Sequence, residues 1–276
     1  MRRLRISAIS YLNTAPLMWD FRQGAPGFAI SYTVPSQCAA ELAEGRADIG
    51  IIPAAAYAGI PGLMIIPGIA IASRRAVRSI LLVSKVPLEA IQSVALDSSS
   101  LTSVALIRIL FAKWWGGKIR FAASNPDLPK MLERHDAALV IGDTALKVDR
   151  SRYITYDLAE EWIRFTGKAF VFAFWAIRQA ALDGLSTQYS LTSMFQRSRD
   201  SGLKPESLNA IAHEWAARLD LSEFDVKSYL TENIHYDLDP ECLDGLQLFY
   251  RYAAECRALA VAPPLRFLES EKLAAI

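Results

Sequence analysis

Only three cysteines, Cys38, Cys242 and Cys256, occur in 276 residues. Their number is odd, their spacing is wide and no CxxC pair is present, which excludes a disulfide framework and suits a reducing compartment. Histidine is as scarce. His135, His213 and His235 are scattered, and no HExxH, Cys/His cluster or metal-spaced pair of carboxylates goes with them. An excess of one charge is also lacking: 30 Lys+Arg against 29 Asp+Glu leave a formal net charge of +1. A nucleic-acid partner, which calls for a basic excess, is not expected. No apolar run reaches the ~18 residues of a membrane span, and the longest candidate, Ala169–Ile177, stops at Arg178. The phosphate-cradling glycine motifs are missing: there is no Walker A loop and no GxGxxG, and Gly116-Gly117 ends a helix before a strand, the wrong side for phosphate. The Gly-x-Ser-x-Gly elbow of hydrolases is absent too. Neither a metal nor a nucleotide cofactor is expected.

The opening Met1-Arg2-Arg3-Leu4-Arg5 has the charge of a signal-peptide n-region. The next residues do not continue one, because Ile6–Ser10 is too short for an apolar core and Tyr11-Leu12-Asn13-Thr14 is polar. The chain is 52% apolar and 21% charged, as ordinary globular proteins are, so disorder is excluded. These features read as a soluble cytoplasmic protein with no membrane partner.

At ~150 residues per domain the length suits about two units. Short apolar runs bounded by Gly or Pro read as strands at Leu4–Ile9, Ala29–Val34, Ala47–Ile52 and Leu63–Ala72, with a helix from a Ser36 cap through Glu44. A second series reads as strands at Ser93–Leu96, Lys118–Ala122, Ala137–Ile141 and Arg152–Tyr156. Helices near Thr102–Trp114, Asp127–Arg134 and Leu158–Phe165 separate them. Such alternation predicts mostly parallel sheets covered on both faces. Ser79–Ser84 leads into the second series and Phe170–Ile177 leads out of it. Later periodicity is helical, at Pro205–Leu219, Ser222–Thr231 and Pro240–Leu259, with Ser222 and Asp239 as N-caps and Pro240 at N1. The expected architecture is α/β and two-lobed, with a cleft between the lobes. Residues 1–84 and 178–276 form the first lobe, and 85–177 form the second.

Ligands of such sheets sit outside the carboxyl ends of the parallel strands, near helix N-termini. The first loop so placed is Ser10-Tyr11-Leu12-Asn13-Thr14-Ala15-Pro16-Leu17. Pro16 fits a first helical turn, so Asn13 or Thr14 is either a helix cap or a donor facing an anion or hydroxyl. Tyr11 is a core aromatic or a cleft wall. The second loop, Asp97-Ser98-Ser99-Ser100-Leu101-Thr102-Ser103, holds five hydroxyl residues before the apolar helix, more than capping requires. With the dipole and free N–H groups it suits a carboxylate, and Ser99, Thr102 and Ser103 stand out; a solvated Ser-rich turn is the plainer reading. Pro53 and Ala54 expose backbone at a strand end, and Ser84 ends the entering strand. Gly142 permits close backbone approach, and Asp143 is as readily a cap as a catalytic group.

Taken together, these segments resemble one family. Ser10–Leu17 resembles the Ser-Tyr-Leu-Asn-Thr signature of the chorismate dehydratases, which open the futalosine route to menaquinone. The likeness continues through Ala47–Pro53, Ser79–Lys85, Asp97–Ser103, Asp136–Asp143, Tyr156-Asp157-Leu158, Glu161-Trp162, Thr166-Gly167 and Phe170–Trp175. The helical C-terminus carries no such signature. A naphthoate synthase of the same route opens with a Cys/Pro-containing loop that this chain lacks. The resemblance implies a type II periplasmic-binding-protein fold used as a cytoplasmic enzyme that converts chorismate to 3-[(1-carboxyvinyl)oxy]benzoate without a cofactor. Chorismate carries two carboxylates, so helix N-termini in both lobes would grip it. On this reading Ser99, Thr102 and Ser103 hold one carboxylate, and Asn13 with Ser84 orients the departing hydroxyl. Ser10, Tyr11, Thr14, Pro53, Ala54 and Gly142 complete the site. The base is either Asp143 or the substrate's own enolpyruvyl carboxylate. The protein is then a monomer or homodimer; the alternative is a non-catalytic receptor for small carboxylates on the same fold.

Overall fold

The computed structural model describes residues 3–22, 24–183 and 188–269. Met1 and Arg2 of the opening charge run, and residues 270–276 of the expected first lobe, lie outside the described residues. The first sheet contains β1 (Leu4–Ile9), β2 (Phe28–Thr33), β3 (Ile49–Pro53), β4 (Leu63–Ser73) and β10 (Phe170–Arg178), ordered β2-β1-β3-β10-β4. The second contains β5 (Ile80–Ser84), β6 (Ser93–Asp97), β7 (Arg120–Ser124), β8 (Ala137–Ile141) and β9 (Ile154–Asp157), ordered β7-β6-β8-β5-β9. In each sheet three strands pair in parallel and the next is reversed: β10 runs antiparallel to β3 and β4, and β5 to β8 and β9.

β3, β6 and β8 are buried along their whole lengths, and β10 along all but its last residue. Such continuous apolar runs belong to strands covered on both faces. In the first lobe α1 (Pro35–Ala43) and α2 (Ala54–Tyr57) come directly after strands; in the second α3 (Thr102–Leu110), α4 (Leu128–Arg134), α5 (Gly142–Leu146) and α6 (Leu158–Thr166) do so. α3 continues into a π-helical turn, Phe111–Trp115. The Ser36 cap does not form. Pro35 already occupies the first turn and Val34 is the N-cap, with no side-chain cap bond, because proline at N1 starts the helix one residue earlier.

The crossings between lobes are short, and neither is a strand. β4 ends at Ser73 and β5 begins at Ile80; α6 ends at Thr166 and β10 begins at Phe170. The expected lobe limits shift accordingly: Ile80–Ser84 pairs within the second sheet and Phe170–Arg178 within the first. Buried Asp157 ties the first crossing down. Its carboxylate accepts from the N–H groups of Val77 (3.1 Å) and Arg78 (2.6 Å) while capping α6 through Ala159 and Glu160. Burial raises its pKa against those donors.

The C-terminal segment adds α7 (Gln188–Gly202), α8 (Pro205–Leu219), α9 (Glu223–Ser228) and α10 (Pro240–Glu255). α7 packs on β4 and on the 3₁₀ turns at Pro16–Phe21, where Ser198 Oγ donates to the Leu17 carbonyl at 2.9 Å. α9 runs into a second π-helical turn, Tyr229–Asn233. Asn233 Nδ2 donates to the Ala76 carbonyl, 2.9 Å away, and so fastens this turn to the first crossing. α10 packs on β10 and also on α3 of the second lobe.

Candidate active site

Between the lobes lies a narrow crevice with a cavity volume of about 50 Å³, smaller than the ~300–1,000 Å³ of ligand-filled pockets, so a ligand needs the lobes to open. The first lobe lines it with Ile9, Tyr11, Asn13, Pro53 and Ile71, and the second with Ser79, Ser100, Thr102, Ser103 and Gly142. Among the described residues no Lys, Arg or His lines it. An anion held here is met by dipoles and neutral donors rather than by a side-chain cation.

Asn13 sits in a 3₁₀ turn, Leu12–Thr14, preceded by Tyr11, and neither this turn nor the next has a side-chain cap. The capping reading of Asn13 is therefore overturned. Thr14 does the local work: its Oγ1 lies 2.6 Å from the Ile9 carbonyl and 2.7 Å from that of Tyr11. This leaves the Asn13 amide to the crevice.

Across the crevice, Asp97 organises the hydroxyl loop. Its Oδ1 accepts from Ser99 N (2.9 Å) and Ser99 Oγ (2.6 Å), so the Ser99 hydroxyl is committed to its own loop. Ser100 Oγ accepts from Ser103 N at 3.3 Å, doing the work of a cap. Thr102 bridges the lobes: Oγ1 donates to the Phe172 carbonyl (3.0 Å) and accepts from Ala55 N (3.1 Å). Its hydroxyl is thus spent on the protein. Ser103 is buried and lines the crevice with no hydrogen-bond partner for its hydroxyl among the described residues. The first turn of α3 has N–H groups without intrahelical acceptors and the positive end of the helix dipole.

Three more bonds draw the lobes together. Leu12 N donates to Asp143 Oδ1 at 3.1 Å, Ser36 N donates to the Ser99 carbonyl at 3.2 Å, and Tyr229 Oη donates to Ser79 Oγ at 2.8 Å. Burial pushes the Asp143 carboxyl up to about 6, against the lowering by the Leu12 N–H and Lys147. Gly142, just before it, has φ +60°, and a Cβ there would lie 2.8 Å from the Tyr11 ring. The tyrosine therefore packs flat on bare backbone.

The expected residues divide. Tyr11, Asn13, Pro53, Thr102, Ser103 and Gly142 meet at the crevice. Ala54, Ser99 and Asp143 are not among the residues that line it; Ala54 accepts from Tyr250 Oη at 2.7 Å through its carbonyl. Ser10 and Thr14 line a neighbouring groove that also holds Arg22 and Arg218. Ser84 is a correction. It pairs with Ala137, at the start of β8, and its Oγ donates to the Val86 carbonyl at 2.7 Å. Because β5 runs antiparallel to β8, the cleft end of β5 is its beginning, so Ser79 lines the crevice instead. Helix starts meet the crevice from both lobes: on the first-lobe side Pro35, the first residue of α1, and Pro53, the residue before α2, line it beside the 3₁₀ turn.

Ser79 and Ser100 were within reach of the sequence, one at the other end of the chosen strand and one inside the chosen loop. Tyr229 had no signal, lying in helical sequence with no motif. A possible metal set also escaped the sequence. His235, Asp239 and Cys242 come together with ligand atoms within 4.8 Å of one another, where no cluster was expected. Asp239 already caps α10, bonds His235 at 2.7 Å and pairs with Arg74, and none of the three lines the crevice.

Residues 4–255 match the protein family described as menaquinone biosynthesis. A chorismate dehydratase of Thermus thermophilus is 27% identical over 281 residues, spanning 95% of this chain and 98% of that protein. Among solved structures, an Archaeoglobus fulgidus protein superposes with TM-score 0.71 at 15% identity, over 92% of this chain and 97% of that one. The periplasmic aliphatic sulphonate binding protein of Escherichia coli gives TM-score 0.65 at 15% identity, over 100% and 96%. At such identity these likenesses establish the fold, that of the periplasmic binding proteins.

Proposed function

Because the chain belongs to the menaquinone-biosynthesis family, we propose that it is a carbon–oxygen lyase that removes water from chorismate and yields 3-[(1-carboxyvinyl)oxy]benzoate. The relative from Thermus thermophilus carries that activity in its name. The observation that carries the reading is the meeting of the Asn13 turn and the hydroxyl-rich start of α3 across one crevice. A diacid needs two polar poles, and these are two.

The first turn of α3 and the Ser103 hydroxyl hold one carboxylate. Asn13 and Ser79 face the ring hydroxyl that leaves. The proton departs from the ring carbon bearing the ether, acidified through the conjugated ring carboxylate. The C–O bond to the ring hydroxyl then breaks, and hydroxide takes up a proton as water. The ring becomes aromatic, so the driving force is internal and the balance needs no oxidant or reductant. Orientation in a closed site contributes several kcal/mol, and each donor aimed at developing charge roughly 3–4 kcal/mol.

The substrate's enolpyruvyl carboxylate takes the ring proton through a six-membered arrangement, and Asp143 serves as a latch. Two observations support this division: Asp143 is not among the residues that line the crevice, and one of its oxygens is engaged by Leu12.

The test incubates purified protein with chorismate in a chelating buffer and tracks the ultraviolet absorption of a substituted benzoate. Product formation with turnover is expected. Tight chorismate binding without product would replace this reading with that of a receptor.

A further inference from the structure

We propose that Tyr229 is a positioning residue of this reaction, orienting Ser79, a crevice group that faces the departing hydroxyl. The inference rests on the crevice being the dehydration site and extends that site into the helical C-terminal segment, where sequence offered no candidate.

Tyr229 is the first residue of the π-helical turn after α9, and its side chain is 2% exposed. A π turn carries one residue more than an α turn, which re-aims the side chains around it and recurs at functional sites. The turn is pinned at its far end: Asn233 Nδ2 holds the Ala76 carbonyl, and Ser73 Oγ holds the Asn233 carbonyl at 2.8 Å. Ala76 and Ser79 belong to the same crossing, so Tyr229 and its target are referenced to one piece of backbone.

A phenol has a single proton. Tyr229 gives it to Ser79 Oγ, 2.8 Å away. The Ser79 proton must then point elsewhere, and Ser79 lines the crevice. The result is a relay of two hydroxyls ending at the ligand, in which the first polarises the second. Burial holds the phenol above its ordinary pKa, so it stays neutral and orients without exchanging protons.

Tyr236 supplies the contrast. It is as buried as Tyr229, yet its hydroxyl has no partner among the described residues. Burial in this core does not by itself demand that a tyrosine be paired, and the hydrogen bond of Tyr229 goes to a crevice residue.

The experiment compares Tyr229→Phe, Tyr236→Phe, Ser79→Ala and the Tyr229→Phe/Ser79→Ala double variant with wild type. Turnover of chorismate, KM and melting temperature are measured. Tyr229→Phe is expected to lower kcat ten- to hundred-fold with KM changed less than three-fold. Tyr236→Phe leaves kcat and KM unchanged. In the Ser79→Ala background, Tyr229→Phe is expected to cost less than three-fold in kcat. Full kcat in Tyr229→Phe, or a loss that adds fully to that of Ser79→Ala, would overturn the proposal. If wild type itself gives no product, the dehydratase reading fails on its own, and with wild type active a kcat loss in Tyr229→Phe that only tracks its loss of melting temperature would overturn the positioning role separately.

Discussion

The backbone N–H of Leu12 reaches across the cleft to Oδ1 of Asp143, 3.1 Å away. This single bond joins the turn that carries Asn13 to the segment that carries Gly142, so the two lobes meet at the crevice wall. Asparagine at position 143 keeps an oxygen for Leu12 and removes the charge. Asp143→Asn is therefore expected to retain kcat within about ten-fold, as loss of one partly retained hydrogen bond would allow. A fall of three orders of magnitude or more in steady-state turnover, with chorismate still bound, would make Asp143 the base.

The same carboxylate sets a pH dependence of stability. Its pKa rises from 3.8 to about 6 in the folded protein. The folded state therefore holds a proton that the unfolded state has released, and the linkage slope is negative in that interval. Stability contributed at this position is greatest below 3.8 and falls as pH rises to about 6. The loss is about 2–3 kcal/mol. Asp136 and Asp239, whose pKa values are lowered, act in the opposite direction at lower pH. The difference between wild type and Asp143→Asn isolates the effect. Thermal melts are expected to coincide near pH 4 and to favour the variant near pH 8. Parallel curves would place the charge in water.

Asn13 makes no cap, and so its replacement separates chemistry from folding. Asn13→Ala is expected to lower kcat by at least a hundred-fold, the order seen when one oriented donor is lost. The melting temperature should change by no more than about 3 °C, since no cap worth ~1 kcal/mol is lost. A drop in activity that simply tracks a drop in melting temperature would return Asn13 to a structural role.

Much of this fold was legible because its strands are buried on both faces. Runs such as Ile49–Pro53 and Ala137–Ile141 leave few alternatives to central parallel strands. The hydroxyl loop was legible for a different reason: five hydroxyl residues exceed what one helix start consumes. What sequence did not carry was strand direction. Ser84 and Ser79 end the same strand, and only the antiparallel pairing of Ile80 with Ile141 decides which of them meets the ligand. Tyr229 was illegible for a third reason, since its importance arises from tertiary placement of a π turn and leaves no local periodicity.

That strand direction makes a paired test. Ser79 lines the crevice and accepts from Tyr229, whereas Ser84 closes a tight loop with the N–H and carbonyl of Val86. Ser79→Ala is expected to lower kcat ten-fold or more and, by leaving the buried Tyr229 hydroxyl short of its partner, to destabilise by about 1 kcal/mol. Ser84→Ala is expected to leave kcat unchanged and to destabilise by about 1–2 kcal/mol, the cost of leaving buried backbone groups short of a partner. Chemical denaturation beside steady-state kinetics reads both, and the reverse pattern would mean that Ser84 faces the ligand.

The closeness of Gly142 to Tyr11 yields the last expectation. Two separate penalties apply to a side chain at position 142. The backbone there has φ +60°, which costs an L-residue about 1–2 kcal/mol. The added Cβ would also lie 2.8 to 3.1 Å from atoms of the Tyr11 ring, so the ring must move. Gly62 separates these effects. Its φ is +71°, but a Cβ would meet nothing within 4 Å, so Gly62→Ala carries the backbone penalty alone. Both variants should lose melting temperature, Gly142→Ala by more. Only Gly142→Ala should raise KM for chorismate, because displacing Tyr11 disturbs a crevice wall and, through Leu12, the seating of Asn13. An equal KM in the two variants, measured at matched fractions folded, would mean that the Tyr11–Gly142 contact serves packing and leaves the ligand untouched.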